Sequence, residues 1–577
     1  MATPTDQQHT PDGTTASHRG VAQRVMSAPL WVHTVALAIV LLIVLALTVP
    51  GYAYFSDEGA AIVQERQLRA GEGWIYDYPF AAADPTGEVR PFINGQEAET
   101  GVAPYAKHPL YVAVLGVADG AFGVTGLVLV AVTGAIMASL GAALLGRRID
   151  PRLGVPALWV AGVASPLFFD AYLVLAHTIA AATAAFAVLL ALTIVERKAP
   201  PAWMYPALGL ATAATVLLRS EGLVLVPALV VGGMVLARLE PERRGRAIQV
   251  AIVAGFVGVI TFVGERAYIA GILGNAGEGS RIPTENWLVG RFNGLFKTWF
   301  PATYTYQSTV EYATALLPVI VAFAALRTRR SMKGGPLVAG FTAVAILLVL
   351  RLLLASSGPI PGLAVAFPIG WAGLWLLRRR YFATTAMRFI GIVGLVMVVA
   401  VLLTQFSRGG GVEWGGRYFA VAVPIITPVL LRPFLDVNWQ VGFSRRALPI
   451  AVVAVTIVLM AIGVQTLRLT HTAHRGGVET IAAAADASAA ATGEPGVVVM
   501  TSRLGPQIVW NIFRDYDFLS PARDNVDRAR DVLEASQRTE AVLFNSTGTG
   551  EPDWPNWTVV DVQRVKYSYP VYSLVQR

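Results

Sequence analysis

LWVHTVALAIVLLIVLALTVPGYAYFSDEGA, residues 30–60, decides what kind of molecule this is. Its apolar run, 30–49, holds no Asp, Glu, Lys or Arg. At ~1.5 Å of rise per residue a helix of that length crosses the ~30 Å hydrocarbon core of a bilayer. Lipid offers backbone groups no partners, so the run is expected to be helical. No small-residue cleavage site precedes the acidic pair Asp57-Glu58, so it reads as a retained helix and not as a removed signal peptide.

Similar runs recur at 124–145, 153–169, 177–195, 203–218, 222–237, 247–264, 309–326, 336–354, 359–377, 388–405, 417–434 and 447–467. Together they make about thirteen spans. The whole chain agrees: 577 residues, 55% hydrophobic and 14% charged, with a mean hydropathy of +0.56, exclude an ordinary soluble protein. The net charge of +8 does not point to nucleic acid, because Lys and Arg gather in short clusters between the runs. Arg147, Arg148 and Arg152 share one connection, Arg243, Arg244 and Arg246 another, and Arg378, Arg379 and Arg380 a third. They fall on every second connection, as a cytoplasmic face requires.

This topology puts the tail 1–29 in the cytoplasm of a plasma (inner) membrane protein, the spans within 30–467, and loops 50–123 and 265–308 outside. Residues 468–577 then form a small extracytoplasmic α/β domain: Ala-rich 482–491 reads as helix, Val497–Met500 and Ala541–Phe544 as buried strands, and Val526–Ser536 as an amphipathic helix. The chain has no cysteine, which removes disulfides and thiolate chemistry.

Candidate functional residues lie at the outer ends of the spans. Asp57 and Glu58 open a helical stretch that Ser56 could cap, where the helix dipole favours acids; equally, a carboxylate beneath the headgroups could take a proton from a hydroxyl. In Tyr105-Ala106-Lys107-His108-Pro109-Leu110-Tyr111, Pro109 suits a first helical turn, and Lys107 either snorkels or, with His108, binds a phosphate. Asp170 could cap a helix, and His177 could anchor one at the interface. Arg219 and Glu221 either pair with each other or serve a site. In Trp414-Gly415-Gly416-Arg417-Tyr418 the aromatics fit an interfacial belt, while Arg417 faces out against the charge bias and matches a lipid phosphate. The aromatics of 268–307, Trp287, Trp299, Tyr304 and Tyr306 among them, suit either sugar stacking or anchoring.

Asp57-Glu58, the following helix with Arg66, the Gly71–Trp74 turn, the Lys107–Tyr111 segment and Gly146-Arg147-Arg148 resemble the membrane GT-C glycosyltransferases. The likeness is to the branch holding protein O-mannosyltransferases and the lipid A aminoarabinose transferase, and it is most specific over residues 50–240. His108 stands where that branch usually has a proline. The resemblance implies an all-α polytopic GT-C-like domain and transfer of a sugar from a polyprenyl-phosphate donor to an acceptor hydroxyl at the outer face. It implies Asp57 as base with Glu58 in support, and Lys107, His108, Arg417 and Arg219 at the donor phosphate. Arg66, Asp170, His177, Glu221 and Tyr418 would support the site or the acceptor. The expected partners are the donor lipid, membrane lipids, and a glycan, lipid or protein acceptor. Hard oxygen ligands leave room for a divalent cation, Mg or Mn, though no spacing identifies one. The rival reading is a lipid or glycan flippase.

Overall fold

A computed structural model describes residues 28–48, 51–92, 95–98, 101–274, 335–354, 363–404, 416–437, 442–522, 525–546, 551–564 and 570–577. Among these residues seven helices are long and apolar enough to cross a membrane: Leu30–Leu47, Pro109–Ile149, His177–Glu196, Ser220–Leu239, Pro241–Leu273, Thr385–Thr404 and Ile450–Thr492. The protein is a mostly helical, multi-pass membrane protein with a small sheet domain at its C-terminal end. Side chains sort by size as lipid demands. Along Arg244–Leu273, Ile252, Phe256, Val259 and Val263 are exposed on one stripe, while Ala247, Val250, Ala251, Ala254 and Gly258 are buried. Small residues let neighbouring backbones approach, and large ones face outward.

Several expected spans are shorter or longer than the apolar runs. The run 153–169 folds as Gly154–Val163 and a short turn, Leu167–Asp170, separated by Ser165-Pro166. The run 359–377 is cut at Phe367-Pro368, and 417–434 holds only the helix Val423–Leu431 between 3-10 turns. Proline, lacking an N–H, stands at the break in the first two runs, whereas the helix of the third runs through Pro428. The run 309–326 lies outside the described residues. In the other direction, the helix expected from 124 begins at Pro109 and turns at Gly123, whose φ of 61° only glycine adopts readily. Loop 50–123 therefore ends at His108.

The break expected at 467/468 is absent: Gly442–Thr492 is one helix. It leads to a five-stranded mixed sheet built from β3 (Val497–Met500), β4 (Asp517–Leu519), β5 (Glu540–Phe544), β6 (Trp557–Arg564) and β7 (Pro570–Gln576). A two-stranded hairpin, β1 (Gln96–Ala98) with β2 (Gly101–Ala103), precedes it in the first loop. The sheet order is β4-β3-β5-β7-β6, with β3 parallel to β4 and β5, and β7 antiparallel to β5 and β6. Helix Asp527–Ala535 buries Ala529, Val532 and Leu533, the one-turn spacing that places side chains on a common face.

The first loop and this domain share one core. Tyr78, Phe80 and Val89 pack with Val497, Val499, Leu519 and Leu543. The Ser520 amide donates to Val89 O at 2.6 Å. Arg528 lies 3.5 Å from the buried carboxylate of Asp84, which also accepts from Tyr78 Oη and the amides of Glu88 and Val89. From the long helix, His471 and His474 donate through Nδ1 to Thr48 O (2.6 Å) and Ala53 O (2.7 Å), pinning the chain just before the acidic pair.

Candidate functional site

The acidic pair sits on helix Ser56–Arg69, whose N-cap is Phe55 and not Ser56. The cap is supplied instead by Glu58. Its Oε1 accepts from the amides of Tyr54 and Phe55, both at 2.8 Å, and its Oε2 accepts from Val174 N at 2.7 Å. Glu58 is 1% exposed. Burial, outweighing these three N–H donors, pushes its carboxyl up to about 7, and the charge of Asp57 acts in the same direction.

Asp57 turns elsewhere. Its Oδ1 is 3.5 Å from Lys107 Nζ and its Oδ2 3.6 Å from an Arg417 guanidinium nitrogen. Burial acts to raise this carboxyl, but the positive charges of Lys107, Arg417 and Arg219 overcome it and hold it down at about 2. Lys107 itself is shifted downward by burial, opposed by Asp57, and stacks 4.8 Å from the Tyr105 ring centroid. His108 is driven well below its ordinary value by burial and by the charges of Arg219 and Lys107, so it stands neutral.

Local structure explains these positions. Gln64, two turns on from Asp57, accepts from the Tyr105 amide at 3.1 Å and donates to Trp74 O at 3.1 Å. It thereby ties the segment carrying Lys107 to the helix carrying Asp57. Gly416, with φ 77°, opens the turn Arg417–Phe419, and Arg417 lies 5.2 Å from the Tyr418 ring centroid. Arg219 leaves helix Met204–Leu218 in extended backbone and grips Glu221 in a two-pronged bond, Nε to Oε2 at 3.0 Å and a terminal nitrogen to Oε1 at 2.7 Å.

Asp57, Lys107, His108, Arg219, Glu221, Arg417 and Tyr418 all line one cavity of about 610 Å³. Apart from Ser220 and Thr404 its remaining wall is apolar, with Val226 and Pro227, Val259 and Phe262, and Ala400 and Val401. Val226 lies five residues beyond Glu221, about 8 Å deeper along the same chain direction. The cavity is thus charged at its mouth and greasy in its depth.

Four sequence candidates lie outside this lining. Glu58 serves the backbone as described. Asp170 (1% exposed) and His177 (1% exposed) are buried around the second loop, and neither ring nitrogen of His177 has a hydrogen-bond partner among the described residues. Arg66 points to the far side of its helix, 4.6 Å from the Trp510 ring centroid and 4.0 Å from Asp119. Trp414, Gly415 and the aromatics at 287, 299, 304 and 306 fall outside the described residues. Gln64 and Ser220 were missed. Gln64 follows Asp57 by seven residues, the spacing that returns a helix to the same face, and could have been found that way.

No family model matches this chain, and no curated protein does. Among solved structures it is similar to ArnT from Cupriavidus metallidurans bound to undecaprenyl phosphate, with a TM-score of 0.49 and 14% identity over 94% of this chain and 98% of that one. It is similar also to the Archaeoglobus fulgidus oligosaccharyltransferase in complex with Zn and sulfate, with a TM-score of 0.49 and 14% identity over 88% and 68% of the two chains. The archaeal oligosaccharyltransferase AglB from the same organism, in complex with an inhibitory peptide and a dolichol-phosphate, gives a TM-score of 0.44 and 14% identity over 89% and 69%.

Proposed function

We propose that the protein is a membrane glycosyltransferase that moves a sugar from a polyprenyl-phosphate donor to an acceptor hydroxyl, at the extracytoplasmic face of the plasma membrane. The observation that carries this reading is the two-ended cavity. Its cationic mouth of Lys107, Arg219 and Arg417 suits a phosphate, and its wall of Val226, Pro227, Val259, Phe262, Ala400 and Val401 suits the hydrocarbon tail of the same molecule.

In the reaction the acceptor hydroxyl gives its proton to Asp57 while its oxygen attacks the anomeric carbon. The bond from that carbon to the phosphate oxygen breaks, and its electron pair leaves with the lipid phosphate. Lys107 and Arg417 neutralise the charge that develops there. A single displacement of this kind inverts the anomeric centre. One coupling follows from the distances. The cations that depress Asp57 in the free protein are the groups a donor phosphate would engage. Donor binding therefore loosens their hold and strengthens Asp57 as a base when it is needed.

No step is assigned to a divalent cation. Each carboxylate lining the cavity is already engaged by a cationic side chain, Asp57 by Lys107 and Arg417 and Glu221 by Arg219, which is a poor donor set for Mg or Mn. Read as a cytoplasmic face, the basic clusters support a cytoplasmic N-terminus and an outer sheet domain, which packs on the first loop.

The purified full-length protein in lipid nanodiscs, offered radiolabelled polyprenyl-phosphate sugars one at a time, is expected to release lipid phosphate from one of them. Tight binding of the donors without any release, together with transbilayer movement of the lipid, would establish the flippase reading instead.

A further inference from the structure

A second concave surface lies on the other end of the acidic helix. Arg66 and Arg69, from its last turns, face Trp510, Asn511, Arg514 and Asp515, from the turns after Gly505–Ile508, across a cleft of about 400 Å³. Small-ligand sites run from roughly 300 to 1,000 Å³. Each arginine is backed by a carboxylate. Arg69 meets Asp119 at 2.6 Å and Glu65 at 3.5 Å, Arg66 lies 4.0 Å from Asp119, and Arg514 pairs with Glu72.

Those pairings neutralise the charge without exhausting the five N–H donors of each guanidinium. An anion entering the cleft would have to compete with the carboxylates; a ring of hydroxyls would not. Acceptors stand beside the donors. Asp515 is exposed, and Asn511, whose amide nitrogen donates to Gly51 O at 2.9 Å, keeps a buried Oδ1. That Oδ1, Arg66 Nε and the Trp510 indole N–H have no hydrogen-bond partner among the described residues. Neighbouring donors and acceptors with balanced charge are what an uncharged polyhydroxyl ligand requires.

The position is also informative. Arg66 and Arg69 follow Asp57 by nine and twelve residues on one helix, about 14 and 18 Å along its axis and, at ~100° per residue, about 180° and 120° round it, so the cleft lies away from the Asp57 cavity. We propose that the cleft is a binding site for a neutral saccharide, separate from the cavity that holds Asp57.

The test applies fluorescently labelled full-length protein in nanodiscs to an array of neutral di- to hexasaccharides and of the same glycans bearing uronate or phosphate. Binding of undecaprenyl phosphate is measured on the same preparation. Neutral glycans are expected to bind, and to bind about ten-fold or more weakly to Arg514→Ala and to Asp515→Ala. Arg514 also bonds Arg66 O, so its replacement could disturb the fold; Asp515 is exposed, and its variant keeps the test open. The proposal is overturned if the wild type binds no saccharide, if it binds only anionic glycans, or if a folded Asp515→Ala binds neutral glycans unchanged. Undecaprenyl-phosphate binding that persists in those cases leaves the donor reading standing, whereas its absence in the wild type counts against the donor reading itself.

Discussion

Asp57 and Glu58 are neighbours in the chain with opposite engagements: the Asp57 carboxylate is held by two side-chain cations in the cavity, and the Glu58 carboxylate by three backbone N–H groups outside it. Their replacements should therefore fail in different ways. Asp57→Asn is expected to lower sugar transfer by about 10²- to 10⁴-fold, the usual worth of a general base, and to lower the thermal unfolding midpoint as well, because Lys107 and Arg417 lose their shared carboxylate. Glu58→Gln exchanges an acceptor-only group for one that also brings two N–H donors among N–H groups, and is expected to cost on the order of 1–3 kcal/mol of stability. Transfer assays and thermal melts of the two variants in nanodiscs separate the roles. A transfer loss in Glu58→Gln as large as that in Asp57→Asn would remove the distinction.

Glu58 also predicts how stability varies with pH. Its carboxyl is raised in the fold, from an ordinary 4.5 to about 7, so the folded protein favours the protonated form. The stabilisation is fully present below pH ~4.5 and is lost as pH rises through about 7, by on the order of 3 kcal/mol at most. Asp57 has the opposite sign. Held at about 2, it contributes stability above its ordinary value of 3.8 that is lost only as pH falls through about 2. Melting midpoints of the wild type should fall between pH 4.5 and 7, and Glu58→Gln should flatten that window. A flat wild-type profile would refute the assignment.

The sequence carried the membrane class, because apolar runs and basic clusters are one-dimensional signals, and it carried the acidic helix and the strands at Val497 and Ala541. It did not carry span lengths. Pro166 and Pro368 look harmless inside apolar runs, yet each removes a backbone donor and cuts a helix. Nor did it show Lys107 and Arg417 converging on Asp57. That convergence joins residues 50 and 360 positions from Asp57 and depends on how helices pack. The shared core of Tyr78, Phe80 and Val89 with the C-terminal sheet was hidden for the same reason: each patch is too small to read as a core alone.

That shared core makes a further expectation concrete at Gly59. A Cβ there would overlap the Gln507 carbonyl oxygen, two residues from Asp57. Gly59→Ala must push the C-terminal domain off the acidic helix, and overpacking of this kind costs about 1–3 kcal/mol. Transfer should fall together with the melting midpoint. Gly120→Ala is the control, since a Cβ there meets nothing within 4 Å and helical Gly→Ala changes are neutral or mildly stabilising. Full activity in Gly59→Ala would show that the domain contact does not position Asp57.

Lys107 and Arg417 carry the phosphate assignment and can be tested apart from the base. Either residue replaced by Ala leaves Asp57 with one cation, and each variant is expected to lose about 10²- to 10³-fold in transfer, as when one electrostatic donor to a developing charge is removed. Arg417→Lys should recover only part of this, because a point charge does not reproduce a planar fork. Undecaprenyl-phosphate affinity measured on the same variants should drop in parallel. Unchanged affinity in both would detach the cationic mouth from the lipid phosphate.

Arg219 and Glu221 pose the hardest choice, since a buried, two-pronged ion pair at the cavity wall could be purely architectural. The pair is 6% and 11% exposed at its side chains, so removing one partner strands a charge at a cost of about 3–5 kcal/mol. Glu221→Gln and Arg219→Met alone should each destabilise strongly, and neither result would discriminate. The double variant Arg219→Met with Glu221→Leu removes both charges and fills similar volume, which for buried pairs is often neutral or stabilising. If the pair only braces the helix ends, the double variant regains both stability and transfer. If Arg219 helps hold the donor phosphate, stability returns while transfer and undecaprenyl-phosphate affinity remain low, and that second outcome is the one expected from its place in the lining beside Arg417 and Lys107.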